Sequence, residues 1–187
     1  MIFIVGLVLL GLIAWICLSV AGSIGKKVEK RRAEVISKYE LDELYIDDAG
    51  RLIGFRFDDQ SVVYGTHDWG VRLPLSAITS VEVRRNGVQI TRANRGSQLA
   101  GAAIGGLLFG VPGAMVGGLS GSSTTSDKLR SVGLAFTFDH LKHPAHEVTF
   151  GVWPGQPQSE HSLLASLPMR NLERCHARVV NALNPTK

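Results

Sequence analysis

The hydrophobic pattern divides the chain into an uncharged start, a long alternating region and a helical end. No residue from Ile2 to Gly25 is charged, and a helix of that length, at about 1.5 Å per residue, covers the roughly 30 Å hydrocarbon layer of a bilayer. We therefore predict a transmembrane helix over residues 1–25. A cleaved secretory signal is disfavoured because no basic region precedes the apolar run and the main basic cluster follows it.

Five basic residues follow the uncharged segment. Basic residues beside a spanning helix stay on the cytoplasmic side, so they predict a single-pass protein of the cell (inner) membrane with its N-terminus outside and its remainder cytosolic. Helical spacing continues past them, which predicts a basic juxtamembrane stalk over 26–40. They can also contact membrane lipids, at about 1 kcal/mol each with anionic headgroups. The residues are Lys26, Lys27, Lys30, Arg31 and Arg32.

Beyond Glu40 the hydrophobic period changes from helical to alternating. Alternation predicts half-buried strands, and the turn-forming residues between the runs predict antiparallel pairing. Asn86-Gly87 is the clearest turn signal, since both residues tolerate the positive φ of a two-residue hairpin. About seven strands are expected. The runs are 44–46, 53–57, 62–64, 81–83, 88–91, 132–138 and 148–152.

The chain closes with a predicted amphipathic helix. Ser166 is a suitable N-cap, Pro168 fits a first turn, and Asn184-Pro185 provides a stop. Such a helix after about seven strands can cover the open end of a small β-structure. Its apolar positions are Leu172, Cys175, Val179 and Leu183.

Leu73 to Val83 reads LPLSAITSVEV, and with the order of the elements it resembles the bacterial pleckstrin-homology-like (PH-like) domains. The resemblance covers residues 41–184 with an interruption. It implies an α+β fold in which 41–96 and 129–184 form a small antiparallel β-barrel or sandwich with a C-terminal capping helix. It also implies binding of peptides, other subunits or lipid headgroups, without catalysis. Some relatives bind phosphoinositides through a basic first hairpin loop, but here Asp47–Arg51 is acidic, which disfavours that route.

The interruption is the least ordinary part of the sequence. Residues 99–119 carry no charge, and their glycines recur every four residues, which forms a flat stripe for close helix packing. This resembles the glycine-zipper segments of membrane-associated bacterial proteins. Pro112 divides it into two arms too short to cross a bilayer, so 97–128 is predicted as an inserted helical hairpin with a Ser/Thr-rich linker. The predicted packing residues are Gly101, Gly105, Gly106, Gly110, Gly113, Gly117 and Gly121.

The sequence offers little catalytic chemistry. Cys17 lies in the apolar segment and Cys175 in a helix core, and no serine stands in a nucleophile setting. The histidines at 140, 143 and 146 span a strand end and a loop, which is typical of an exposed turn rather than a metal site. The formal charge of +4 is concentrated beside the apolar segment, unlike the basic face of a nucleic-acid binder. We predict no enzyme activity, metal, cofactor or nucleic-acid partner.

These features together predict a non-enzymatic, membrane-anchored interaction and oligomerisation protein. It would act as a homo-oligomer that presents a cytosolic PH-like domain to a protein partner, as a scaffold or as an exclusion or defence factor. Two alternatives stay open. One is a pore-forming or membrane-perturbing oligomer built from the glycine-zipper hairpin, and the other is a lipid-headgroup binding module.

Overall fold

A computed structural model of the protein describes residues 2–94, 128–159 and 162–184. The chain forms two units, Met1–Leu41 and Asp42–Lys187. The first unit is one helix, α1 (Ile2–Tyr39). Glu40 follows it with φ at +53°, and the Leu41 N–H donates to the Ile36 carbonyl at 3.1 Å. This six-to-one bond across a left-handed residue is a Schellman motif, which ends the helix by satisfying one of its last carbonyls.

The predicted basic cluster lies on the second half of α1. Its members are exposed except Arg32, which is half-buried, and Lys30 approaches Glu34 one turn later at 3.9 Å. An exposed pair of this kind contributes little to stability, so most of the cluster's charge faces solvent. The prediction of a spanning helix is not confirmed: over the part of the chain that the structure describes, none of the helices combines the length and apolarity needed to cross a membrane.

In its described residues, the second unit is built from antiparallel strands, one α-helix and one 3-10 helix. The α-helix is α2 (Leu163–Leu183), and the short 3-10 helix (Leu75–Ala77) joins β4 to β5. The strands in the described residues are β1 (Glu43–Ile46), β2 (Arg51–Arg56), β3 (Ser61–Thr66), β4 (Gly70–Pro74), β5 (Ile78–Arg85), β6 (Val88–Asn94), β7 (Lys128–Leu129), β8 (Ser131–Phe138), β9 (Ala145–Val152) and β10 (Gln158–Ser159).

These strands form two four-stranded sheets and a two-stranded ribbon. The first sheet has the order β1-β2-β3-β4, the second β6-β5-β8-β9, and the ribbon pairs β7 with β10. The α+β class, the antiparallel pairing and the C-terminal helix are therefore confirmed. The predicted barrel is wrong for the described residues, because their strands pair into separate sheets and do not close into one. Three strands were also missed, because the alternation in β4 covers only three residues, Val71 to Leu73, and β7 and β10 are two residues long.

One hydrophobic core lies between the two sheets and α2. In the first sheet, every second residue faces the second sheet, as the two-residue period of a strand requires. These residues provide one wall of the core. The Tyr64 ring stacks on Phe138 of the second sheet, with centroids 3.9 Å apart. Helix α2 packs against β5, β8 and β9. The largest fully buried core side chains include Ile53, Phe55, Val62, Tyr64, Ile78, Leu134, Phe136 and Leu172.

Helix α2 starts one turn earlier than the sequence indicated. Ser162, not Ser166, is the N-cap, and its hydroxyl oxygen accepts the Ala165 N–H. Pro168 consequently lies inside the helix, where it has no N–H to donate to the preceding turn. The predicted face is otherwise correct, since Leu172, Cys175, Val179 and Leu183 are all buried.

Gly65, near the end of β3, has no room for a side chain. Its φ is +152°, and an added Cβ would lie 2.2 Å from the Trp69 carbonyl oxygen. We expect Gly65→Ala to lower the free energy of unfolding by about 2–4 kcal/mol, through combined backbone strain and displacement of the β3–β4 turn. Urea unfolding followed by circular dichroism in mild detergent measures this. Gly155→Ala is the matched control, because nothing lies within 4 Å of its added Cβ, and equal losses in both variants would contradict the prediction.

Candidate functional site

The β framework holds the two ends of the glycine-rich insertion far apart. Strand β6 ends at Asn94, which lies opposite Ser80 near the start of β5. The chain returns at Lys128, beside the β5–β6 turn at the other end of β5. Five residues separate Ser80 from Arg85, which is roughly 16 Å along a strand at about 3.3 Å per residue. The intervening polypeptide must bridge this distance in addition to any hairpin it forms.

Asn86 fixes the returning chain. Its side-chain oxygen accepts the Arg130 N–H at 2.6 Å and the Ser131 N–H at 3.2 Å, and its amide donates to the Lys128 carbonyl at 3.1 Å. Its own N–H donates to the Ser131 carbonyl at 2.9 Å. The residue adopts φ of +52° as the hairpin turn requires. A turn signal in the sequence is thus also the clamp that places the end of the insertion.

Of the sequence-predicted site residues, only the basic residues lie in the part of the chain that the structure describes. The basic residues of 26–32 lie in the first unit. The seven zipper glycines, at 101, 105, 106, 110, 113, 117 and 121, lie outside the described residues. What the structure contributes to the zipper is therefore the geometry of its two attachment points.

In the first hairpin loop, predicted as acidic, Asp47 pairs with Arg51 while Asp48 is exposed. Asp47 is almost completely buried, and its carboxylate accepts the Arg51 N–H at 2.8 Å and the Arg51 Nε–H at 2.7 Å. The Arg51 guanidinium also donates to the Thr149 hydroxyl at 3.0 Å. The loop and β9 line a cavity of about 180 Å³. Arg51 already binds Asp47, which gives a structural reason for the predicted disadvantage in headgroup binding. The hydrogen bond from Arg51 to Thr149 ties the first sheet to the second.

A row of three rings joins the β3–β4 and β8–β9 turns. Trp69 stacks on His143 with centroids 4.6 Å apart, and His143 stacks on His140 at 5.8 Å. The His143 N–H donates to His140 Nδ1 at 3.1 Å. The Tyr64 hydroxyl donates to the His143 carbonyl at 2.7 Å. These histidines therefore act as packing groups.

Metal binding by these histidines has no support in the structure. Over residues 2–94, 128–159 and 162–184, no three histidine, cysteine or acidic side chains converge as a metal site would require. His146, the third member of the predicted turn, is instead buried with Nε2 at 2.8 Å from the Leu52 carbonyl. Sequence reasoning missed the ring row because its partners lie on separate turns, and only their contact in space reveals it.

Comparison with known proteins gives the fold a family. Residues 43–152, from the first residue of β1 to the last of β9, match the family described as "Glycine zipper containing PH domain". The chain belongs to this family. The match includes the predicted zipper, and it ends before α2. The PH-like resemblance and the glycine zipper, which were inferred from Leu73–Val83 and from residues 99–119, are thereby confirmed.

This glycine-zipper PH domain also has two similar curated relatives. One is named an immunity protein of Bacillus phage SPbeta, 33% identical over 78 residues, which cover 42% of this chain and 37% of the relative. The other is named an SPbeta prophage-derived uncharacterized membrane protein of Bacillus subtilis strain 168, also 33% identical over 78 residues, covering 42% and 33%. The aligned part is thus about a third of each relative's length. No solved structure gives a significant match.

Removing the Asn86 side chain should loosen the return of the insertion. We expect Asn86→Ala to lower the free energy of unfolding by about 1–2 kcal/mol, since it removes exposed hydrogen bonds to Arg130 and Ser131 and places alanine at a positive φ. Amide hydrogen exchange at these two residues should accelerate in the same variant. Asn86→Asp keeps an acceptor oxygen for both N–H groups and should lose less. Gln89→Ala, at an exposed position of β6, should change neither quantity, and an equal effect there would contradict the clamp.

Stability should fall with acid because of a buried histidine on α2. His176 is 1% exposed, neither ring nitrogen has a hydrogen-bond partner among the described residues, and burial lowers its pKa to about 4. Since an unfolded histidine titrates near 6.5, the unfolded state binds more protons between these values and stability decreases as pH falls through this window. We expect a loss of roughly 2 kcal/mol between pH 7 and pH 5.

The pH dependence can be assigned by substitution. His176→Leu should remove most of the loss between pH 7 and pH 5, measured by urea unfolding at each pH. Burial also lowers the pKa of His146, so a smaller loss of the same sign should persist. His67→Leu, at an exposed position, is the control and should behave as the parent protein. An unchanged slope in His176→Leu would refute the assignment.

Proposed function

We propose that this chain is a non-enzymatic, membrane-attached interaction protein that self-associates through its glycine-zipper segment. The observation that carries the proposal is the arrangement of the zipper's ends. A rigid sheet holds Asn94 and Lys128 at opposite ends of β5, and Asn86 clamps the return. A framework of this kind presents the segment between them, and an uncharged segment rich in Leu, Ile, Val and Phe needs an apolar partner.

Self-association is supported by the glycine spacing. Glycines four residues apart allow two helices to approach backbone to backbone, which stabilises helix pairs even where lipid removes the hydrophobic driving force. The six polar residues of 122–127 can span up to about 20 Å when extended. This exceeds the separation of roughly 16 Å along β5, so the linker permits zipper and sheet to coexist without strain.

Membrane attachment is supported by the sequence of the first unit and by one relative's name. The uncharged stretch Ile2–Gly25 precedes the exposed basic residues of α1, and this order favours insertion with the N-terminus outside and the basic residues in the cytosol. The relative from Bacillus subtilis is named a membrane protein. We propose the cell (inner) membrane as the location, with the exposed cluster on anionic headgroups and the PH-like domain facing the cytosol.

The phage relative suggests a biological setting. Its name, immunity protein, favours the defence role among those that a membrane scaffold could serve. The proposal for this chain is accordingly an immunity factor whose copies assemble at the membrane through the zipper, with the PH-like domain available to a protein partner.

The test replaces zipper glycines in the full-length protein. Gly105→Leu combined with Gly117→Leu should reduce chemically crosslinked oligomers in isolated membranes by about tenfold, because leucine side chains keep the helix backbones apart. Gly118→Leu is the matched control, since position 118 lies outside the predicted stripe and should leave oligomers intact. Unchanged oligomers in the double variant would refute self-association through the zipper.

Membrane attachment has its own readout in the same preparation. Resistance to alkaline carbonate extraction is expected for a chain that spans the bilayer, and release into the supernatant would contradict attachment by insertion. Leakage of ions from liposomes carrying the protein would instead favour the pore-forming alternative.

A further inference from the structure

Three leucines at the start of α2 form an exposed apolar patch. Leu163, Leu164 and Leu167 are 91%, 67% and 61% exposed. Single exposed leucines are ordinary, but three neighbours within one and a half turns of a helix form a contiguous surface that usually meets a partner. We call these three residues the leucine patch. The buried face of α2 lies elsewhere and begins with Ala165 and Met169.

The patch stops sharply along the helix. Arg170, Arg174 and Ala177 continue the face of Leu163 and Leu167 at helical spacing, and all three are exposed. Solvent-exposed arginine is what an unpartnered helix face normally carries. The exposed apolar surface is therefore confined to the first two turns of α2.

The returning end of the insertion lies beside those two turns. Lys128 pairs with Ser159 in the β7–β10 ribbon, and the Ser159 carbonyl accepts the Ser162 N–H at 2.9 Å. Ser162 is the cap of α2, so the leucine patch begins one residue beyond it. The apolar run 99–119 ends nine residues before Lys128, and nine residues reach about 30 Å at most.

We propose that the leucine patch is the docking surface for the apolar run 99–119 of the same chain. Three observations select this occupant: the patch is uncharged like the run, it lies only at the end of α2 next to the point of return, and the run is tethered within reach. A tethered segment has a far higher effective concentration at a nearby surface than a separate molecule. The inference goes beyond the proposed function, since it concerns a contact within one copy, whether or not copies associate.

Cysteine accessibility tests the docking in the full-length protein. The background is Cys17→Ser, and Cys175 is retained because it is buried. In this background Leu164→Cys should react with a membrane-impermeant maleimide about tenfold more slowly than Ala177→Cys, because a docked segment excludes the reagent. Deletion of residues 99–119 should restore rapid labelling at position 164 and leave position 177 unchanged. Rapid labelling of Leu164→Cys in the full chain would overturn the proposal, as would slow labelling that persists after the deletion.

Crosslinking identifies the occupant without depending on the deletion variant. Leu164→Cys paired with Leu107→Cys or with Met115→Cys should give an intramolecular bismaleimide crosslink, whereas Ala177→Cys with the same partners should not. Crosslinks found only between differently tagged copies would overturn the docking within one chain while leaving self-association intact. Conversely, intramolecular crosslinks that survive in Gly105→Leu with Gly117→Leu would support docking. Loss of oligomers in that variant would support zipper-mediated association and persistence of oligomers would refute it, so the two proposals fail separately.

Discussion

Strand β5 is the element on which the second unit depends, because it is hydrogen-bonded along both edges. Its partner on one side, β6, follows directly through the Asn86-Gly87 turn, while its partner on the other, β8, comes after the whole insertion. The strand therefore joins two parts of the chain that the insertion separates in sequence. It also carries core residues, including Ile78 and Val81, so pairing and burial reinforce each other.

The arrangement explains how a PH-like domain tolerates a long apolar insertion. Each flank of the insertion is held by bonds that do not involve the inserted residues: β6 by its ladder with β5, and Lys128 to Ser131 by Asn86 and by the β7–β10 ribbon. Asp47, Arg51 and Thr149 tie the two sheets together. The framework is thus stabilised by contacts that do not involve the segment it presents, and changes in that segment need not disturb the core.

Local patterns in the sequence were sufficient where the determinants are local. Asn86-Gly87 specifies a hairpin through its own backbone preferences, and the spacing of Leu172, Cys175 and Val179 identifies the buried face of α2. The N-cap was misplaced because Ser162 and Ser166 have equal capping chemistry, and tertiary packing decides between them. Contacts such as Trp69 on His143 join turns far apart in the chain, so no pattern within either turn could reveal them. The same holds for the leucine patch, whose exposure is a property of the assembled fold.

The position of the insertion also has a consequence for the order of folding. The β1–β4 meander and the β5–β6 hairpin involve neighbouring segments, whereas pairing Val81 with Phe136 requires closure of a long loop and so forms late. During synthesis the apolar run emerges before β8, β9 and α2 exist. A nascent chain would therefore expose it while the core is half complete, the stage at which chains are most prone to aggregation. Early burial of that run, in lipid or against its own chain, would protect the protein during its slowest step.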